Sequence, residues 1–271
     1  MEYREVAPSR PLAAIIRCYW LLAGSAPRAG DVDAAAEPAL PDGSPELIFN
    51  LADPFEEVDA GGTASRQPPI MLVGQITRPM VVRATARIDM VAVRFEAHGA
   101  SLLHDRMHQL TGRSVDAATL LDGALVPVAA GLARTTVTER RVAILDEALI
   151  RLVARRPPPD QRVAAAVRSI RATHGAVDVD TLAREHALSP RSLQRLFGAQ
   201  VGISPKLLAR IVRFQRIFAA WRDDPRSLAR VAAECGYYDQ SHLVRDFRDF
   251  AGAPPAGFLA ALPEFTAFFT S

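Results

Sequence analysis

The chain has 271 residues, 49% of them hydrophobic, with 32 basic and 30 acidic side chains for a formal charge of only +2. That length accommodates two domains of roughly 100–150 residues, and a mean hydropathy of +0.07 excludes wholesale disorder. Two cysteines, Cys18 and Cys235, exclude a disulfide framework or a four-thiolate zinc site and point to a reducing, cytoplasmic setting.

The first ten residues, MEYREVAPSR, lack the apolar core of a signal peptide. The most apolar early stretch, residues 13–23, is interrupted by Arg17 and is too short to span a bilayer, so no membrane partner is expected. Residues 46–51, 70–77 and 90–95 are rich in Val, Ile and Phe and are separated by Pro, Gly and Asp, which predicts strands. From Gly99 the pattern turns helical through Gln109, and again over 139–154. Residues 1–156 are therefore expected to form a β-rich sheet or barrel with trailing helices. Pro157, Pro158 and Pro159 cannot continue a helix and predict an extended connector.

The remainder reads as all helix, making the whole chain α+β. Residues 161–173 carry Val163, Ala166, Val167 and Ile170 at helical spacing, and a short helix follows over 180–186 with Leu182 and Ala183 inward. Ser189 followed by Pro190 is a helix start, a capping hydroxyl before Pro at the first helical position. The helix it opens puts Leu193, Leu196 and Phe197 on one face and Arg191, Gln194 and Arg195 on the other. Ser204–Pro205 repeats the start signal for a helix to about Trp221, roughly 27 Å long. A supporting helix over 227–234, a turn at Gly236 and an N-cap at Asp239 then lead to a helix burying Leu243 and Phe247. Its outward face carries Gln240, Ser241, Val244, Arg245 and Arg248.

The two halves of this region are copies. At an offset of 50, Ala183 falls on Ala233, Leu193 on Leu243, Arg195 on Arg245, Phe197 on Phe247, Gly202 on Gly252 and Pro205 on Pro255. The positive charge gathers here too. Residues 160–262 hold 15 basic against 10 acidic side chains, and residues 1–159 hold 17 against 19. Two helix-turn-helix units joined by one long helix have the spacing to enter successive major grooves of double-stranded DNA. Arg can donate two bonds to guanine and Gln can pair with adenine.

The residues REHALSPRSLQRLFGAQVGISPKLLARIVRFQRIFAA (184–220) and SLARVAAECGYYDQSHLVRDFRDFAGAPPAGFL (227–259) closely resemble the DNA-binding domain of the AraC/XylS family of bacterial transcriptional regulators. The resemblance implies a two-headed DNA-binding domain over 160–262, followed by a short tail over 263–271, in a transcriptional regulator, activator or repressor, that meets RNA polymerase. It places base-reading positions at Arg191, Gln194 and Arg195 in the first unit and at Gln240, Ser241, Val244 and Arg245 in the second. Ser192, Ser204, Lys206, Asp239 and Arg248 complete the expected DNA contact set, Lys206 being the sole lysine of the chain. PALPDGSPELIFNL (38–51) and VRFEAHGASLLH (93–104) resemble, more loosely, the cupin-like sensor region of some members, which implies a small-molecule effector or a homodimer contact. No catalysis, cofactor or resident metal is expected.

One competing motif is His104-Asp105-Arg106-Met107-His108, two histidines at helical i, i+4 spacing with His98 nearby. A zinc protease helix needs Glu after the first His, and no third ligand follows. The alternative function this motif would serve is a cupin-type enzyme or small-molecule-binding protein with a regulatory helical domain.

Overall fold

The computed structural model describes residues 1–25, 36–223, 227–268 and 270. Ten strands build the N-terminal half: β1 (Glu2–Val6), β2 (Ile16–Ser25), β3 (Glu37–Ala39), β4 (Glu46–Asn50), β5 (Glu56–Val58), β6 (Ala64–Arg66), β7 (Ile70–Val73), β8 (Met80–Arg83), β9 (Arg87–Phe95) and β10 (Ser114–Asp116). They form one six-stranded sheet in the order β1-β2-β9-β4-β7-β10 and a second of order β3-β8-β5-β6, all pairs antiparallel.

The larger sheet is covered on both faces, and strand alternation sorts its side chains between them. Trp20, Leu22, Ile48, Met71, Val73, Met90 and Ala92 face Phe55, Met80 and Val82, in the interior between the two sheets. Tyr19, Leu21, Leu47, Phe49, Leu72, Val91 and Val93 face the opposite way, toward helices. These are α1 (Ala117–Leu120), α2 (Val126–Ala133) and α3 (Thr138–Val153). Two polar ties fix α3 to the sheet. The buried Arg141 guanidinium forks onto both oxygens of Asp89 at 2.7 and 2.8 Å, and the Tyr19 hydroxyl donates to Asp146 at 2.7 Å.

The helix predicted over 99–109 does not form. The chain makes two separate 3-10 turns, Gly99–Leu102 and Met107–Gln109, with Arg106 between them at φ −124°, ψ 60°. The apolar spacing is real, since Ala100, Leu102, Leu103, Met107 and Leu110 are all buried. It arises because the segment is wedged between the sheet and the helical domain. Gly99 lies so close to Ile15 that a Cβ there would sit 2.0 Å from the Ile15 carbonyl oxygen.

Beyond the prolines come α4 (Gln161–Ala172), α5 (Val179–Glu185), α6 (Pro190–Gln200), α7 (Pro205–Asp223), α8 (Leu228–Glu234), α9 (Gln240–Ala251), α10 (Pro255–Ala260) and α11 (Glu264–Phe268). Leu193, Phe197, Leu208, Phe214, Leu243, Phe247 and Phe250 form their core, and Leu40 and Ala97 of the β-rich half join the same cluster. The two halves therefore share apolar packing. The residues expected to be a tail contain α11, which returns to the sheets: the Thr266 hydroxyl donates to Pro38 O at 2.7 Å, and Phe268 stacks on Tyr3 at 4.9 Å.

Candidate nucleic-acid interface

Four short polar caps define the two helix-turn-helix units. Asp178 accepts from Thr181 N and opens α5, and Ser189 accepts from Ser192 N at 3.2 Å and opens α6. In the second unit Ser227 caps α8 through Arg230 N at 3.3 Å, and Asp239 caps α9 through His242 N at 2.7 Å. Each satisfies a backbone donor that the first helical turn leaves unpaired.

These caps reveal a one-residue difference between the copies. Asp178 and Ser227 are 49 apart, as are Leu182 and Val231 in the core and the positive-φ turn residues Ala187 and Gly236. From Ser189 and Asp239 onward the offset is 50. The structural partner of buried Ala183 is therefore buried Ala232, and Ala233 of the sequence alignment is exposed. The additional residue in the second turn is Tyr238, which is 93% exposed. A single alignment offset of 50 leaves no gap at which Tyr238 stands out; the exposed Ala233 opposite buried Ala183 is the one sign of it in the sequence.

The expected reading faces are open. Arg191, Gln194 and Arg195 lie on the exposed side of α6, opposite the buried Leu193 and Phe197. Gln240, Ser241, Arg245 and Arg248 are exposed on α9, with Val244 partly buried against the core. Lys206 is exposed near the start of α7. Among the described residues, Arg191, Arg195, Lys206, Arg245 and Arg248 have no ion-pair partner. Three other members of the expected set have intramolecular work. Ser204 Oγ accepts from Leu207 N at 3.2 Å and caps α7, Asp239 caps α9, and the Ser192 hydroxyl accepts from Ser189 Oγ at 2.9 Å.

What holds α6 and α9 in place differs. The C-terminal end of α6 rests on the two 3-10 turns of the β-rich half, where the Thr111 hydroxyl donates to Gly202 O at 2.7 Å. α9 is tied to α7 instead: Arg210 donates to buried Asp246 at 2.7 Å and to Asp249 at 2.8 Å. α7, at 19 residues and about 28 Å, separates the units and packs on α4, α6, α8 and α9.

The histidine motif is not assembled as an i, i+4 pair, because His104 lies outside any helix and His108 sits in a 3-10 turn. Among the described residues no group of three or more His, Cys, Asp or Glu is placed to hold a metal ion. Cys18 and Cys235 are buried thiols, and burial pushes them up to about 12 and about 11 respectively. No helix among the described residues is long and apolar enough to cross a membrane.

Comparison with known proteins divides along the same line as the fold. A family described as a helix-turn-helix domain matches residues 182–261, and one described as a domain of unknown function (DUF6597) matches residues 4–116. The arabinose operon regulatory protein of Salmonella typhimurium is 31% identical over 45% of this chain and 42% of its own length. That of Escherichia coli is 30% identical over 46% of this chain and 41% of its own. The match thus spans less than half of these curated relatives. Among solved structures, ToxT from Vibrio cholerae is similar with a TM-score of 0.47 at 8% identity, over 89% of this chain and 98% of that one. Unsaturated fatty acid bound ToxT from the same organism scores 0.44 at 11% identity, over 83% and 89%.

Proposed function

We propose that this chain, whose C-terminal domain belongs to the AraC-type helix-turn-helix regulators, is a cytoplasmic transcription factor that binds promoter DNA through two heads in adjacent major grooves. The observation that carries the reading is the pairing of two capped, exposed helices at either side of one linker helix, each presenting arginines that have no acidic partner among the described residues. Arg191, Gln194 and Arg195 supply base readout. Arg245 and Gln240 supply it in the second head, where Ser241 and Val244 offer fewer hydrogen bonds. Lys206, Arg248 and the helix N-termini take phosphate. Binding is reversible, with no chemistry performed, and RNA polymerase is the downstream partner.

The β-rich half is the sensor in this reading. A cavity of about 60 Å³ between the sheets is lined by Trp20, Phe55, Met71, Met80 and Met90, with Gln67 and Arg94 at its polar side. That volume holds only one or two waters, so an effector must spread the methionines, the most adaptable of core side chains. The loop 40–44 connects this cavity to the helices. Asp42 and Ser44 line it, while Gly43 O and Ser44 Oγ accept from Arg171 of α4 at 3.3 and 3.2 Å. Pro41 O accepts from Gln215 of α7 at 2.6 Å. A ligand that moves this loop moves the helical core.

Selection of bound sequences from random DNA with the full-length protein is the test. One asymmetric site spanning two grooves supports the two-headed monomer, and paired sites reveal a homodimer. Recovery of no preferred sequence rejects base-specific binding.

A further inference from the structure

We infer that the cleft between the two halves is a second ligand site, built for a small polyanion carrying carboxylates or phosphates, and that filling it fixes the halves together. It is separate from the interior of the sheets described above, although Asp42 and Arg94 form part of the wall of both. The cleft has a volume of about 480 Å³, within the range of roughly 300–1,000 Å³ typical of small-molecule sites. Arg17 enters it from the β-rich half; Arg171, His174 and Arg216 enter from the helical half.

Charge is distributed unevenly across the cleft. Three carboxylates converge on Arg94: Glu46 at 2.8 Å, Glu5 at 3.0 Å and Asp42 at 3.5 Å. Arg171 meets Glu96 at 3.3 Å and donates to Gly43 O and Ser44 Oγ. Every acid at or beside the cleft is thereby engaged. Arg17, His174 and Arg216 have no acidic partner among the described residues.

A further observation points the same way. Arg171 is held below its ordinary range, chiefly by burial, with Arg17 and Arg94 adding like-charge repulsion. The guanidinium forks of Arg17 and Arg216, on facing walls and without an acidic partner among the described residues, match the planar, multiply charged oxygens of carboxylate and phosphate groups. Because the two free arginines come from different halves, an anion bridging them binds the docked arrangement more tightly than the undocked one. By linkage, such a ligand biases how the helix-turn-helix units are presented.

The test uses the full-length protein, with citrate as the carboxylate probe and pyrophosphate as the phosphate probe, against chloride at matched ionic strength. Thermal unfolding is expected to show a saturable rise in midpoint with at least one probe, and which one responds separates the two chemistries. R17A and R216A each should weaken the apparent affinity by roughly tenfold or more, while R195A, which alters only the DNA-facing arginine, keeps it. Bound probe should also slow tryptic cleavage after the exposed Arg155 beside the connector. No saturable rise, a rise that survives both R17A and R216A, or one abolished by R195A overturns the site. A rise with unchanged cleavage overturns the docking role.

Discussion

The two helix-turn-helix units are one scaffold anchored in two ways. Leu193 and Phe197 of α6 and Leu243 and Phe247 of α9 occupy the same buried places, and each helix turns an arginine outward at the same register. The first unit, however, is braced against the β-rich half through Thr111 and Gly202, whereas the second is braced against α7 through Arg210, Asp246 and Asp249. The lesson is that duplication preserves what packs, while the anchoring of each copy follows its neighbours. In the proposed sensor role, movement of the loop 40–44 passes to the first unit through Arg171 of α4 and to the linker helix through Gln215 of α7.

The largest effects should come from the shared scaffold. Phe197→Ala and Phe247→Ala are each expected to cost about 3–5 kcal/mol in urea unfolding. The second should cost more, because Phe247 also meets the rings of Phe214, Phe218 and Phe258 at 5.4, 5.9 and 5.6 Å. Equal losses would argue that the aromatic cluster adds nothing to the second copy.

Next comes the reading face. Arg195→Ala should lose about 1–3 kcal/mol on the selected site and relax preference at one base pair. Arg245→Ala should lose less and relax less. The reverse order, measured by binding to single-base variants of the site, would make the second head the specific one.

Tyr238 sharpens the comparison at the turn. Tyr238→Ala should weaken binding by about 1–2 kcal/mol on every sequence, through a lost hydroxyl contact to phosphate. Tyr238→Phe should behave like Ala if the hydroxyl is what matters, and like wild type if the ring is. Lys206→Ala should lower the slope of log affinity against log salt by about 1 without altering sequence preference. A changed preference would move Lys206 into a groove.

The brace of the first unit should be acid-sensitive. His98 is buried beside Glu96 with Arg168 and Arg171 of α4, and burial holds it below the ordinary 6.5. The unfolded chain therefore takes up a proton first as the pH falls. Stability from this group is fully present above about 6.5 and declines below it. His98→Gln should flatten that decline in urea midpoints between pH 7 and 5; an unchanged slope would locate the sensitivity elsewhere.

Much of the helical half was legible because its helices are amphipathic and its caps are short, local and chemically explicit. Ser189–Pro190, Ser227 and Asp239 announce helix starts without reference to anything distant. The β-rich half was harder. β2 and β9 are buried on both faces, so Tyr19-Trp20-Leu21-Leu22 and Met90-Val91-Ala92-Val93 lack the alternation that marks a half-exposed strand. β1, β3, β5, β6, β8 and β10 are short, three to five residues each, and depend on their partners. Residues 99–109 show how burial from several sides imitates helical spacing.

The sequence by itself determined the duplicated scaffold, the caps and the outward arginines, because these depend on neighbours within a few residues along the chain. Tertiary structure decided the rest. It showed that Tyr238 is an additional turn residue, that Ala232 rather than Ala233 is the second copy's buried alanine, and that α11 returns to β3. It also gathered Arg17, Arg171 and Arg216, some 200 residues apart at the extremes, around one cleft. Such groupings depend on how separate elements pack, and no local pattern of charge or hydrophobicity records which distant surfaces will meet.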